Sequence, residues 1–113
     1  MKEKRRYKNI YKHYEGTLDE HGPTFKGMDW PNPEDVYKRF GVMLDLVKYS
    51  KINKSDCFSI LDLGCGVGFF YDYLNKHSVK DFTYKGIDIS KKMIIGARKR
   101  HPKLDFSQQD VLQ

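Results

Sequence analysis

The stretch SILDLGCGVGFF, residues 59–70, decides how this chain is read. Glycines stand at 64, 66 and 68, behind a run rich in isoleucine and leucine and ahead of an aromatic segment. The run FSILDL, residues 58–63, has the length and composition of a strand covered on both faces. A glycine turn at such a strand's carboxyl end tolerates positive φ and lacks the Cβ atoms that would hold a ligand away.

Working outward, the hydrophobic period alternates between helix and strand. FFYDYLNKH (69–77) places Phe70, Tyr73 and Leu74 on one helical face. FTYKGID (82–88) is a second strand, Ser90 caps a helix that turns Met93, Ile94 and Ala97 inward, and LDFSQQ (104–109) is a third strand. Strand, helix, strand, helix, strand is the order of a parallel sheet built by crossover connections. Upstream, Tyr7, Ile10, Tyr11, Tyr14 and Leu18 fall three and four apart and predict a helix whose aromatic face is core; Gly22 and Pro23 end it. Asn32 caps a second helix, Pro33 fits its first position, and Val36, Phe40, Met43, Leu44 and Val47 form its inner face.

The 113 residues make one domain at most, with no apolar run long enough to span a membrane. The net charge of +6 is local: residues 1–12 hold six basic side chains against Glu3, and the remainder holds 15 basic against 14 acidic. That arm lacks the apolar core of a signal peptide and reads as a solvated, frayed terminus. Its basic residues are not interleaved with Tyr7, Tyr11 and Tyr14 as a base-stacking platform requires, which weighs against an RNA-binding protein. Cys57 and Cys65 match no zinc or redox spacing and are expected to be reduced thiols in a cytoplasmic protein.

Ligands of open parallel sheets bind beyond the carboxyl ends of the strands. Gly64, Gly66 and Gly68 lie at the first such end. Asp88 lies at the second, 20 residues past Gly68, where a carboxylate can accept from two ribose hydroxyls. Asp110 lies at the third, where an adenine would be. A nicotinamide site shares two of these markers, but its G-x-G-x-x-G spacing needs glycine at 69, where the chain has Phe69. Asp62, two residues before the first glycine, suits a ligand that brings a cation, such as the amino group of a methionine moiety, better than a pyrophosphate.

LDLGCGVG, YKGIDISKKMI and QQDVL together resemble the first half of a class I, Rossmann-like S-adenosylmethionine-dependent methyltransferase, and the lead-in EHGPTFKGMDWPNPEDVYKRFGVMLDLV is similar to that of a bacterial group within the class. The resemblance implies an α/β fold with strand order 3-2-1, the remainder of a seven-stranded sheet missing, behind N-terminal helices. It divides the chain into a helical lead-in or lid (1–56) and an apparently truncated cofactor-binding half (57–113). It implies that the backbone of Gly64, Cys65 and Gly66, with Gly68, lines the methionine part of S-adenosylmethionine, with Asp62 near its amino group. Asp88 would hold the ribose, Ile89 and Met93 would press on the adenine, Asp110 would accept from its amino group, and the Val111 amide would face a ring nitrogen. Arg39 is a candidate partner for the cofactor carboxylate. Cys65 has no base near it in sequence and is not read as a nucleophile. His21, Thr24 and Trp30 are candidate acceptor contacts, with turn and core packing as their simpler explanation.

The expected function is methyl transfer to an unidentified acceptor, a small molecule favoured over nucleic acid, leaving S-adenosylhomocysteine. The general base, if the acceptor needs one, is not among these residues. The alternative is a non-catalytic S-adenosylmethionine-binding or partner-docking module. The first strand's unpaired edge is expected to favour self-association.

Overall fold

The computed structural model describes residues 2–30, 32–49 and 58–110, with the side chains of all but residues 2–8 and 11. Its elements are α1 (Lys2–His21), α2 (Pro33–Tyr49), β1 (Phe58–Leu63), α3 (Phe69–Lys76), β2 (Phe82–Asp88), α4 (Lys91–Arg100) and β3 (Asp105–Gln108). The strands form one parallel sheet with β2 in the centre, so the order 3-2-1 is as expected. Phe58 to Leu63 pair with Phe82 to Ile87, and Lys85 to Asp88 pair with Asp105 to Gln108. That register leaves the three carboxyl ends side by side. The expected boundary at 56/57 lies outside the described residues, as do Cys57 and Val111.

Local chemistry accounts for the helix starts. Asn32 Oδ1 accepts from Glu34 N at 3.1 Å, with Glu34 and Asp35 at the positive end of α2. Ser90 Oγ accepts from Met93 N at 3.2 Å and caps α4. The sheet's covered face carries two cores. Val36, Phe40 and Leu44 of α2 meet Phe70 and Leu74 of α3, with Ile60 and Phe82 packed against them. Ile94 and Ala97 of α4 meet Tyr84, Phe106 and Cys65. A smaller cluster of Met28, Val67 and Met93 lies beside the glycine turn.

Four details depart from the sequence reading. The strand β1 is not covered on both faces: Leu61 and Leu63 are 57% and 59% exposed, because α2, α3 and α4 pack on its other side. The basic arm is helical where the sequence suggested a partly frayed terminus: its backbone continues α1 from Lys2. The α1 stripe is core only in part: Leu18 packs against the Met28, Val67 and Met93 cluster, whereas Ile10 is 56% and Tyr14 38% exposed and both face a cavity; the side chains of Tyr7 and Tyr11 lie outside the described ones. Met43 is likewise exposed on α2, whose buried face narrows to Val36, Phe40 and Leu44.

Candidate functional site

A cavity of about 410 Å³ opens at the carboxyl ends of the strands. Its floor is Leu63, Gly64 and Gly66 after β1, Ile87 to Ser90 at the end of β2, and Gln109 and Asp110 after β3. Met93 of α4 forms one side, and Ile10, Tyr14, Met28 and Trp30 form the N-terminal wall.

The glycine turn is tied to β2 by Gly64 N and Cys65 N, which both donate to Ile87 O, at 2.8 and 3.0 Å. Gly64 has φ +73°, and a Cβ there would meet no atom of the chain, so the backbone lies bare at the cavity. Gly66 has φ +56° and is close-packed, because a Cβ would stand 2.9 Å from Met28 Sδ. Arg100 braces the turn from behind. Its guanidinium donates to Val67 O at 2.7 Å and to Asp72 Oδ2 at 2.5 Å, and lies over the Phe69 ring.

Asp88 is the hub of the site. Its Oδ2 accepts from Gly66 N and its Oδ1 from Ser90 N, both at 2.9 Å. Each carboxylate oxygen has a second lone pair, so the group can brace the turn and still receive hydroxyl donors from the cavity. Gln109 N donates to Asp88 O at 3.0 Å, which holds the end of β3 against the end of β2. Ile89 and Met93 supply an apolar wall beside Asp88, and Asp110 lines the cavity beyond it.

Asp62 is buried beneath the turn and is not among the cavity-lining residues. It accepts from the Tyr84 hydroxyl at 2.6 Å. Burial raises its pKa, the Tyr84 hydrogen bond opposes that rise, and the charge of Asp88 adds to it. The same burial, with the Asp62 charge alongside, pushes the Tyr84 hydroxyl far above its ordinary range. Cys65 turns its thiol into the core, where burial, then Asp62 and Asp88, keep it protonated. A thiol held that way offers a structural apolar surface, not a nucleophile.

The structure therefore gathers Gly64, Gly66, Asp88, Ile89, Met93 and Asp110 at one cavity. Gly68 sits behind it as the left-handed N-cap of α3. Arg39 is exposed on α2 and is not brought to the cavity. Trp30 reaches the wall, whereas Thr24 closes the turn before it by bonding His21 O and Gly27 N. Sequence reasoning missed Tyr84 as the partner of Asp62, Arg100 as the brace, and Ile10, Tyr14 and Met28 as wall. The three-four spacing of Ile10 and Tyr14 did reveal a common face, but spacing alone does not distinguish a cavity wall from core.

Residues 60–113 match the family described as Methyltransferase domain. Rv1506c of Mycobacterium tuberculosis, which carries a provisional methyltransferase name, is 47% identical over 49 residues, 43% of this chain and 29% of that protein. The PH0226 protein from Pyrococcus horikoshii superposes with a TM-score of 0.52 at 29% identity, over 75% of this chain and 36% of that one. The plantazolicin methyltransferase BpumL, solved with a pentazolic desmethylPZN analog and SAH, superposes with a TM-score of 0.61 at 22% identity, over 92% and 39%. The chain thus spans well under half the length of each. Residues 60–113 thus resemble a methyltransferase domain, and the α/β fold is that of the Rossmann-like, S-adenosylmethionine-dependent methyltransferase class. The cofactor of that class is S-adenosylmethionine. Among the described residues no helix is long and apolar enough to cross a membrane.

Proposed function

We propose that this chain seats S-adenosylmethionine across the carboxyl ends of β1, β2 and β3, and that the protein transfers its methyl group to a small-molecule acceptor. The observation that carries the reading is Asp88, a carboxylate fixed by two backbone amides yet facing a cavity. In this reading Asp88 accepts from the two ribose hydroxyls and Ile89 and Met93 hold the adenine faces. Asp110 accepts from the adenine amino group, with the Val111 amide beside it. The bare backbone of Gly64 to Gly66 lies along the methionine part. Asp62 acts from beneath, as a buried negative charge below the turn that receives the amino group.

Bound S-adenosylmethionine supplies a methyl carbon on a sulfonium leaving group, so the chain need not protonate the group that departs. The chain's own work is to align and to exclude water. The wall of Ile10, Tyr14, Met28 and Trp30 is mostly apolar and serves the second task. A base is required only for an acceptor that starts protonated. The small-molecule preference draws on the modest cavity and on BpumL, whose structure holds a pentazolic desmethylPZN analog beside SAH.

Calorimetric titration of the whole protein tests the reading. Saturable binding of S-adenosylhomocysteine and none of NAD is expected. Binding of NAD with no response to S-adenosylhomocysteine would overturn it.

A further inference from the structure

Helix α1 is tethered on two sides of the cavity. Toward α4, Glu15 Oε2 accepts from Ser90 Oγ at 2.5 Å, and one turn later Asp19 Oδ2 receives Lys92 Nζ at 2.7 Å. Toward the connection before α2, Thr17 Oγ1 lies 2.8 Å from Gly27 O and 2.8 Å from Tyr14 O, which share its one proton, and His13 Nε2 lies 3.0 Å from Asp29 Oδ2. Between these anchors Ile10 and Tyr14 face the cavity.

The Glu15 contact differs from the others in what stands behind it. Ser90 is 1% exposed, and its oxygen also accepts from Met93 N to cap α4. Its backbone N–H donates to Asp88 Oδ1, and Asp88 Oδ2 accepts from Gly66 N. An unbroken run of hydrogen bonds therefore links Glu15, Ser90, Asp88 and the glycine turn. A hydroxyl has one proton to give. With that proton committed to Glu15, the Ser90 lone pairs are left for the α4 amide. A carboxylate at that point is also favoured by the positive end of α4.

We propose that Glu15 is a positioning residue: through Ser90 it holds α1 as a roof across the cofactor cavity, in register with the carboxylate that binds the ribose. Cofactor leaves when the roof lifts, and the Glu15–Ser90 bond sets how often it does. The inference rests on the cofactor reading given above.

The test is the release and association rates of S-adenosylhomocysteine, measured by stopped-flow on the whole protein. A hydrogen bond to a charged group is worth roughly tenfold or more in an equilibrium constant. Glu15→Ala should therefore speed release about tenfold without slowing association. Glu15→Gln keeps a carbonyl acceptor for Ser90 and should stay within about threefold of wild type. Wild-type release rates in Glu15→Ala would overturn the roof while leaving the cofactor site standing. Failure of the wild type itself to bind S-adenosylhomocysteine would remove the cofactor reading and the roof with it. Should Glu15→Ala not fold, Glu15→Asp decides: it keeps the charge but draws the carboxylate back from Ser90, so it should speed release severalfold, and unchanged release would equally overturn the proposal.

Discussion

Asp88 and Asp110 are both carboxylates at strand ends, yet they carry unequal loads. Asp88 is held by Gly66 N and Ser90 N and faces the cavity with its remaining lone pairs. Each charge-assisted contact is worth about 1.5–3 kcal/mol. Under the proposed cofactor reading, Asp88→Ala gives up two ribose contacts and loosens the glycine turn, so it should weaken S-adenosylhomocysteine binding by about a hundredfold or more. Asp110→Ala gives up one contact and should cost roughly tenfold. Titration of both variants, with circular dichroism to confirm folding, checks the order; equal or reversed losses would contradict it. Asp62 carries a different kind of signal. Its native pKa is raised above its ordinary 3.8 chiefly by burial. The native state then binds the proton more tightly than the unfolded state, so this group's contribution to stability is greatest below 3.8. It is lost as pH rises through the raised native value. Asp62→Asn has no such loss, because Asn Oδ1 can still accept from Tyr84. The melting temperature of Asp62→Asn relative to wild type should therefore climb between pH 4 and pH 7. A gap that narrows with rising pH would contradict the assignment. Asp88 and Asp110 were legible as candidates from their places at strand ends, and Asp62 from its place two residues before the first glycine. The Tyr84 contact was not, since it joins residues 22 apart whose facing depends on the β1–β2 register.

At the scale of elements, β2 runs Phe82–Asp88 as read from the aromatic and β-branched run, and α4 begins where Ser90 announced a cap. These succeeded because the determinants are local. Gly86 shows what a strand glycine does in the centre of the sheet. A Cβ there would lie 2.7 Å from Phe106 Cδ1 and 2.9 Å from Cys65 Sγ. Neither neighbour is free to retreat, since Phe106 and Cys65 are both buried in the α4 core. Gly86→Ala should cost about 1–3 kcal/mol by overpacking, read as a lower urea midpoint with an unchanged slope. An unchanged midpoint would mean that Phe106 can turn aside. The α1 face and the outer face of β1 were misread for a common reason. An apolar stripe records that a face avoids water or meets a ligand, but not which of the two. Ile10 and Tyr14 proved to be cavity wall, and Leu61 and Leu63 lie on the side opposite α2, α3 and α4.

At the scale of the whole molecule, two bodies of sequence meet at one cavity. The strand ends bring the groups that suit a nucleoside, and the N-terminal helix with the segment before α2 brings an apolar wall. Val36, Phe40 and Leu44 share a core with Phe70 and Leu74, which holds the lead-in against the sheet. The strand order was legible through the resemblance carried by the glycine turn and the strand ends, and the right-handed crossover rule agrees with it. A lid was expected of the lead-in, but its anchor was not legible, because Glu15 and Ser90 are 75 residues apart and neither stands in a motif that names the other. The central claim is that one cofactor lies along the ends of all three strands. Amide chemical-shift mapping of the labelled protein, titrated with S-adenosylhomocysteine, tests it most directly. The account predicts saturable shifts at Gly64, Gly66, Asp88, Ile89 and Asp110 together, with Arg39 unmoved. Shifts that leave Asp88 and Ile89 untouched while S-adenosylhomocysteine binds elsewhere would contradict it.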